Sequence, residues 1–348
     1  MEALAAQAPS PLRGLVYGSG FEDRPHLLTR IAAHWPLLGN DAATVEAVKA
    51  PERFFPLLDT LGILHPDTAT VRPRKLAGWL AKRCGGAGGS HVMPGRLQTH
   101  AANVYYQALV EGRAVSALFV ANGRRACVLG FSEQWTAPAP GRLYRYGGAV
   151  QPASLTQRAR VAMTEAIQRL TEACGLKGLG SADFVLAETG PYLLEINPRP
   201  GATLDLFAGA ANPLLSVHEA SIVTGRIPRK PPPIAGASAS AILYAPERLI
   251  VPRSIVWPAW AADLPFPGER IDKQRPICTL LARAGSRGRA KRLVETRKAS
   301  LLAKIQNTNE ALKGEQREQE EQRRTCSERY EETEYQHSGR ATGAGPYR

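Results

Sequence analysis

Residues 183–201 read Asp-Phe-Val-Leu-Ala-Glu-Thr-Gly-Pro-Tyr-Leu-Leu-Glu-Ile-Asn-Pro-Arg-Pro-Gly, and they contain the most specific pattern in the chain. Two short apolar runs flank a Thr-Gly-Pro turn, which predicts a β-hairpin. Asp183 stands at the start of the first predicted strand, and Glu195 and Asn197 stand at the end of the second. Because side chains alternate along a strand, Glu195 and Asn197 share one face. The hairpin can bring Asp183 beside them.

Two carboxylates and an amide oxygen on one face are ligands suited to Mg²⁺ (or Mn²⁺) that holds a polyphosphate. Arg199 occupies the next position on that face and could stabilise charge on a phosphoryl group or on its acceptor. The alternative is a solvated surface hairpin. The strand around Glu195 is otherwise apolar, however, and unpaired charge there is costly. The pattern therefore favours a metal site formed by Asp183, Glu195 and Asn197.

A lysine followed by a glycine-rich segment is the second informative pattern. Residues 78–82 (Gly-Trp-Leu-Ala-Lys) predict a strand that ends in Lys82, and residues 84–92 follow as Cys-Gly-Gly-Ala-Gly-Gly-Ser-His-Val. A lysine can neutralise phosphate charge, and glycines let backbone N–H groups approach phosphate oxygens. Because Lys82 precedes the glycines and no Gly-Lys-Ser/Thr follows, this is not a Walker loop. A flexible glycine linker is the alternative, and His91 and His100 are expected to be structural.

The size and composition of the chain set the broad class. A chain of 348 residues with 44% hydrophobic residues can bury a sizeable core in two or three compact units. No apolar run is long enough to span a bilayer, and the first ten residues lack a secretory pattern. The five cysteines are scattered without metal-ligand spacing, which indicates reduced thiols. These features predict a cytoplasmic protein that does not enter a membrane.

A formal net charge of +13 raises the question of nucleic-acid binding. Much of the excess lies at residues 287–292 and 297–298. The same segment carries apolar residues at roughly helical spacing, namely Leu293, Val294, Leu301, Leu302 and Ile305. A terminal helix with a solvated basic face explains both features. No aromatic residues interleave there for base stacking. We therefore expect no nucleic-acid partner.

The rest of the chain predicts alternating helices and strands. Asn40 is the expected N-cap of a helix from residue 42, and the strands at 104–112 and 114–120 are expected to pair as a hairpin. The other predicted strands lie at 14–17, 36–40, 239–244 and 276–281, and the helices at 27–33, 51–61, 154–174, 204–211, 214–224 and 287–305.

The hairpin, Lys82 and the glycine segment together resemble the ATP-grasp superfamily over about residues 51–225. The resemblance implies an α+β ATP-grasp fold in which two α/β lobes sandwich ATP. It implies that Mg²⁺ is held by Asp183, Glu195 and Asn197. The nucleotide contacts it implies come from Lys82, from Gln107 and Leu109 near the adenine, and from a lid that contains Gly85, Gly86, Gly88 and Gly89.

The activity implied by this resemblance is ATP- and Mg²⁺-dependent ligation of a small-molecule carboxylate to an amine through an acylphosphate, with Lys82 and Arg199 as catalytic residues. Residues 17–25, the hairpin and the Trp-Pro-Ala-Trp segment at 257–260 resemble ATP-grasp proteins of methylotrophic bacteria that are linked with pterin-type cofactor pathways. An ATP-binding regulatory or scaffold protein without turnover is the alternative. The sequence leaves open whether the protein forms a homodimer.

Four regions follow from these patterns. Residues 1–50 resemble the last part of a preATP-grasp domain, and residues 51–225 form the ATP-grasp domain with a lid lobe at about 66–121. Residues 226–305 are expected to form a β-rich appendage and a terminal helix. Residues 306–348 are rich in Gln, Glu and Arg, so we expect a disordered tail that the fold does not need.

Overall fold

The computed structural model describes residues 12–98, 103–208 and 213–308. Within them, the chain divides into two compact units. The first runs to Ile242 and includes Thr279–Thr296, and the second contains Leu243–Cys278 and continues from Arg297. None of the described helices combines the length and the apolar character that crossing a bilayer needs. His100 and residues 309–348, on which the sequence made predictions, lie outside the described residues.

Three helices begin the first unit: α1 (His26–Ala32), α2 (Ala42–Lys49) and α3 (Pro51–Thr60). Pro51 suits the first turn of α3, where its missing N–H would have no helical partner. The expected strands at 14–17 and 36–40 shrink to a single parallel bridge between Leu15 and Leu37. The sequence therefore overestimated the strand content of this segment.

The cap of α2 differs from the prediction. Asp41, not Asn40, accepts the hydrogen bond from the Thr44 amide and caps the helix. The Asn40 side chain instead donates to the carbonyls of Lys177 and Pro198 and accepts from the Lys177 amide. Asn40 thus ties the N-terminal segment to the strands that carry the metal-site candidates.

A small antiparallel sheet follows, with the strand order β1-β4-β2-β3. Its strands are β1 (Thr68–Ala69), β2 (Trp79–Arg83), β3 (Val92–Pro94) and β4 (Val104–Ala108). The strand ending near Lys82 is thereby confirmed, and residues 84–91 connect β2 to β3. This connection contains the glycine-rich segment.

The large sheet of the first unit has the order β14-β10-β7-β6-β5-β8-β9. Its strands are β5 (Arg113–Asn122), β6 (Ala126–Thr136), β7 (Tyr146–Gln151), β8 (Lys177–Ala187), β9 (Gly190–Asn197), β10 (Ala237–Tyr244) and β14 (Pro276–Ala284). Helix α4 (Gln157–Cys174) begins at the N-cap Thr156, and helix α5 (Leu214–Val223) follows β9. Both helices were predicted, whereas the described part of the expected helix 204–211, which ends at residue 208, contains a 3₁₀ turn at Leu204–Phe207.

One sequence-based pairing is wrong. Strand β4 pairs with β1 and β2, while β5 pairs with β6 and β8, so the two do not form a hairpin. Residues 109–112 instead connect the small sheet to the large sheet. Strand β5, which the expected lid lobe included, belongs to the large sheet.

Alternation along β5 explains what each face of the large sheet does. Val115, Ala117 and Phe119 are fully buried against α3 and α4 in the main apolar cluster. The opposite face carries Leu118 and Val120 in a second cluster. A regular two-residue period therefore gives β5 two packed faces. Ser116, the register partner of Asp183, is buried on the face that carries Leu118 and Val120.

The second unit contains three short strands, β11 (Leu249–Ile250), β12 (Ala261–Ala262) and β13 (Arg270–Ile271), of which β11 and β13 pair. Strands β10 and β14, which we expected in a C-terminal appendage, are members of the large sheet. Residues 287–308 are helical (α6), of which 287–296 belong to the first unit and the rest to the second. Val294, Leu301 and Ile305 are buried as their spacing predicts. The domain limits at 50, 225 and 305 remain predictions.

Acid should destabilise the first unit through His218. Its Nδ1 accepts from the Leu179 amide and its Nε2 donates to the Leu38 carbonyl, so the neutral ring fits this site and burial lowers its pKa. The unfolded chain binds the proton more readily. Stability is therefore full above the ordinary histidine pKa, about 6.5, and falls as the pH drops below it.

We expect the urea midpoint of the wild type to fall more steeply between about pH 7 and pH 5 than that of His218→Gln, whose amide does not titrate, because a pKa difference of one unit contributes about 1.4 kcal/mol. Parallel pH profiles for the two proteins would contradict this role of His218.

Candidate functional site

The predicted hairpin is present as β8 and β9, with two residues between the strands. Asp183 is the register partner of Glu195, and Ser181 is the partner of Asn197. The Asn197 side chain donates to Asp183 Oδ2 at 3.1 Å. The three metal-site candidates therefore converge. Asp183 lies in the middle of β8, not at its start, because the strand already begins at Lys177.

A lysine that the sequence analysis missed lies between two of these candidates. Lys49 Nζ is 3.1 Å from Glu195 Oε2 and 2.9 Å from Asn197 Oδ1. Its side chain is only 7% exposed. Lys49 is the last residue of α2, and no local pattern marks it. Its position beside the hairpin could be learned only from the tertiary structure.

The two carboxyl groups differ in their electrostatic environment. Burial and the neighbouring charge of Glu195 raise the pKa of Asp183 to about 7, although Ser116 and Lys49 oppose this. Burial alone would raise the pKa of Glu195, but the positive charges around it, led by Lys49, lower it instead. Gln134 also donates to Asp183, at 3.3 Å. At Asp183, unlike at Glu195, the nearby positive charge does not offset the effect of burial on the pKa.

Lys82 is buried in the small sheet and is held by a side chain. Its Nζ donates to Gln107 Oε1 at 2.5 Å, and Gln107 Nε2 donates to Thr68 Oγ1 at 3.2 Å. Burial lowers the pKa of Lys82 to about 8, while Glu195 and Asp183 act in the opposite direction. Lys82 therefore lies close enough to the hairpin to sense its carboxylates.

The two residues expected near the adenine have protein partners. The Gln107 carboxamide is committed to Lys82 and Thr68 and is 1% exposed. The Leu109 amide donates to the Gly78 carbonyl at 2.7 Å, and its side chain is largely exposed. Contact of these two residues with adenine remains a prediction. Such a contact would use atoms without these partners, such as the Leu109 carbonyl oxygen.

The glycine-rich segment approaches other parts of the chain closely. Gly85 has φ +66°, and a Cβ there would come within 2.6 Å of the Asp23 amide nitrogen. Gly89 has φ +69°, and a Cβ would overlap the Tyr144 carbonyl. The Gly88 carbonyl accepts from the Tyr146 amide. Conformation and close packing both require glycine here. Contact of Gly85, Gly86, Gly88 and Gly89 with phosphate remains a prediction.

Arg199 forms a buried ion pair that the sequence analysis did not anticipate. Its Nε donates to Glu22 Oε1 at 2.6 Å, and both side chains are less than 10% exposed. The other carboxylate oxygen of Glu22 accepts from the Gly20 and Phe21 amides. Burial raises the pKa of Glu22, but the Arg199 guanidinium outweighs it and lowers that pKa. Glu22 therefore fixes the direction of the Arg199 side chain.

A row of polar side chains continues from Asp183 across the large sheet. Ser116 is the register partner of both Asp183 and Ser132, and Gln151 is the partner of Ser238. All four neutral side chains are buried. Within the described residues, Ser132 Oγ and Gln151 Nε2 have no hydrogen-bond partner. Buried polar groups without partners are rare and call for an explanation such as a bound water or ligand.

The sequence of this chain is similar to known proteins and to one protein-family model. Residues 54–203 match the family model described as the ATP-grasp domain. The chain contains an ATP-grasp domain. The large chain of carbamoyl phosphate synthase from Vibrio vulnificus is 24% identical over 219 residues, which cover 56% of this chain and 20% of that protein. The chain thus matches about one fifth of the length of this relative.

Solved structures agree on the ATP-grasp fold. The biotin carboxylase domain of Hydrogenobacter thermophilus 2-oxoglutarate carboxylase, solved with MgADP and bicarbonate, has a TM-score of 0.66 at 14% identity and covers 84% of this chain and 74% of its own. L-amino acid ligase from Bacillus licheniformis has a TM-score of 0.64 at 14% identity, and the match covers 85% of this chain and 80% of the ligase. At these identities the similarity establishes the fold, and the narrower resemblance to proteins of methylotrophic bacteria remains a prediction.

The ATP-grasp hairpin has donors that fit a hard divalent cation. Asp183, Glu195 and Asn197 offer oxygen atoms, and the raised pKa of Asp183 marks a carboxyl group that lacks a full counter-charge. Among the described residues, no group of three or more His, Cys, Asp or Glu side chains forms a metal cluster. A cation here would therefore depend on the Asn197 amide and on oxygens from a nucleotide or water.

Proposed function

We propose that the protein is an ATP- and Mg²⁺-dependent ligase that joins a small-molecule carboxylate to an amine or a similar nucleophile. The observation that carries this proposal is the convergence of Asp183, Glu195 and Asn197 on one hairpin. Lys82 is close enough for its charge to lower the pKa of Glu195. Oxygen ligands beside a buried ammonium group suit a metal-bound triphosphate.

In the proposed reaction, a carboxylate oxygen of the acid attacks the γ-phosphorus of ATP. The bond to the bridging β–γ oxygen breaks, and ADP leaves. The amine nitrogen then attacks the carbonyl carbon of the acylphosphate, phosphate leaves, and the nitrogen loses a proton as the amide forms. Bound Mg²⁺ (or Mn²⁺) would supply electrostatic stabilisation of the phosphoryl oxygens.

The residues of this chain would divide the remaining work. Lys82 would hold phosphate oxygens, with Gln107 fixing its position. Arg199 would hold the acid or its acylphosphate, and the ion pair with Glu22 would keep its guanidinium in place. A bidentate cation suits a planar carboxylate. Ser132 and Gln151, which lie two and three strands from Asp183, would offer uncharged hydrogen-bonding groups to a part of the substrate further along the sheet.

The proposed function is tested by ADP release. Purified protein with Mg²⁺ and ATP is screened against pairs of carboxylates and amines, and the expected result is a pair for which ADP release requires both members. When the acid carries ¹⁸O in its carboxylate, one labelled oxygen should appear in the released phosphate, because the acyl–oxygen bond breaks in the second step. ADP release with unlabelled phosphate would contradict the acylphosphate route.

Three finer proposals concern the pathway, the assembly and the location of the protein. A pterin-type cofactor pathway is proposed from the combination of residues 17–25, the hairpin and residues 257–260. A homodimer is proposed because the Hydrogenobacter carboxylase domain was solved as a dimer. A cytoplasmic location rests on the free thiols of Cys84, Cys127, Cys174 and Cys278. Tight ATP binding with no turnover for any pair would favour the regulatory or scaffold alternative.

A further inference from the structure

Lys49 lies where a metal ion would lie. Its ammonium group contacts oxygen atoms of Glu195 and Asn197, which are two of the three candidate metal ligands, at 3.1 and 2.9 Å. Its charge also opposes the raised pKa of the third, Asp183. An ammonium group and a divalent cation that use the same oxygens repel each other strongly at such short distances. The two cannot occupy this position together.

The charges around the hairpin explain why a lysine is stable there. Asp183 and Glu195 are register partners, so two partly buried carboxyl groups lie side by side. The Lys49 side chain is 7% exposed, and a buried ammonium group needs such partners. The Lys49 side chain carries its ammonium group on a flexible four-carbon chain, so the ammonium group can move while α2 stays in place. Val45 and Val48 of α2 are 1% exposed and anchor the helix.

We propose that Lys49 is a built-in placeholder for the divalent cation: its ammonium group occupies the metal position in the metal-free protein and withdraws when the metal–nucleotide complex binds. This inference rests on the proposed function, because it assumes a metal at Asp183, Glu195 and Asn197. The placeholder further implies that the protein binds a divalent cation without nucleotide more weakly than it binds the metal–nucleotide complex. A divalent cation must displace Lys49, and a cation that arrives with a polyphosphate gains extra oxygen ligands and offers the displaced ammonium group an anionic partner.

The test is Mn²⁺ binding without nucleotide, measured by calorimetry, for the wild type, Lys49→Met and Lys49→Arg. Methionine keeps the length and apolar stem of the side chain without its charge. We expect Lys49→Met to bind Mn²⁺ about tenfold more tightly than the wild type, since charge in a site sets its cation affinity. Lys49→Arg should bind no more tightly than the wild type. Lys75→Met, at an exposed position of the same unit, should leave affinity unchanged.

Equal or weaker Mn²⁺ binding by Lys49→Met, in a protein whose Mn²⁺–ATP binding persists, would overturn the placeholder and leave the proposed function intact. Failure of every protein to bind Mn²⁺, with or without ATP, would instead remove the metal site itself. Adding Glu195→Gln to Lys49→Met should abolish the gain in affinity, because the gain depends on that carboxylate.

A measurement on the wild type covers the case in which Lys49→Met does not fold. Acetylation of lysines followed by mass spectrometry should show a protected Lys49 in the metal-free protein and a several-fold faster reaction with saturating Mn²⁺. Lys177 is exposed and lies six residues, or about 20 Å, along β8 from Asp183, so its rate should not change. An unchanged rate at Lys49 when Mn²⁺ is bound would overturn the proposal.

Discussion

Replacing Glu195 by glutamine should weaken the binding of Mg²⁺–ATP by about 100-fold or more while the fold is kept, because losing a direct ligand charge exceeds the 10–100-fold cost of losing an outer partner. Glutamine retains the size of the side chain and can still accept from Lys49. The substitution removes the negative charge that faces both Lys49 and the metal position. Calorimetry with a non-hydrolysable ATP analogue and Mg²⁺ measures the loss.

Glu188→Gln is the matched control for this prediction. Glu188 lies in the turn of the same hairpin and is exposed, so the same chemical change there should leave affinity within about twofold of the wild type. An unchanged affinity in Glu195→Gln would remove Glu195 from the metal site. Equal losses in both variants would point to damage to the hairpin.

Replacing Lys82 by methionine should weaken ATP by about 100-fold and adenosine by much less, because a buried charge-assisted contact of about 3 kcal/mol is lost only with the phosphates. Methionine fills most of the space of the lysine stem, which matters because Lys82 is buried. The change leaves Gln107 without its 2.5 Å partner, so the melting temperature should fall as well. Competition binding with ATP, ADP and adenosine separates the two effects.

The control for Lys82 is Lys75→Met. Lys75 precedes the same strand and is exposed, so its loss should change neither ligand. Parallel losses of ATP and adenosine in Lys82→Met would indicate a general disturbance of the small sheet, and the phosphate role of Lys82 would be wrong. Lys82→Arg should retain part of the ATP affinity if charge is what matters.

Several elements of the fold are encoded by local patterns in the sequence. The hairpin of β8 and β9, the strand that ends near Lys82 and the helices α3, α4 and α5 follow from apolar periodicity and turn residues. Asp183, Glu195 and Asn197 converge because a two-residue period and a short turn leave little freedom of register. All three of these side chains are encoded within residues 183–201.

Where sequence reasoning was wrong, pairing had been inferred from closeness in the chain. Strands β4 and β5 are separated by only four residues, yet they belong to different sheets. Asn40 has the composition of a helix cap, yet its amide bonds to residues that are more than 130 positions away. A cap or hairpin pattern states what a segment can do locally, and distant partners can satisfy the same groups.

The charges that meet at the site are brought together by contacts between distant parts of the chain. Lys49 reaches Glu195 across 146 positions, and Glu22 reaches Arg199 across 177. Neither Lys49 nor Glu22 carries a local pattern, because each is held by a partner of opposite charge that a distant element supplies. Local sequence thus determined the candidate ligands on the hairpin, while long-range packing determined the charges that surround them.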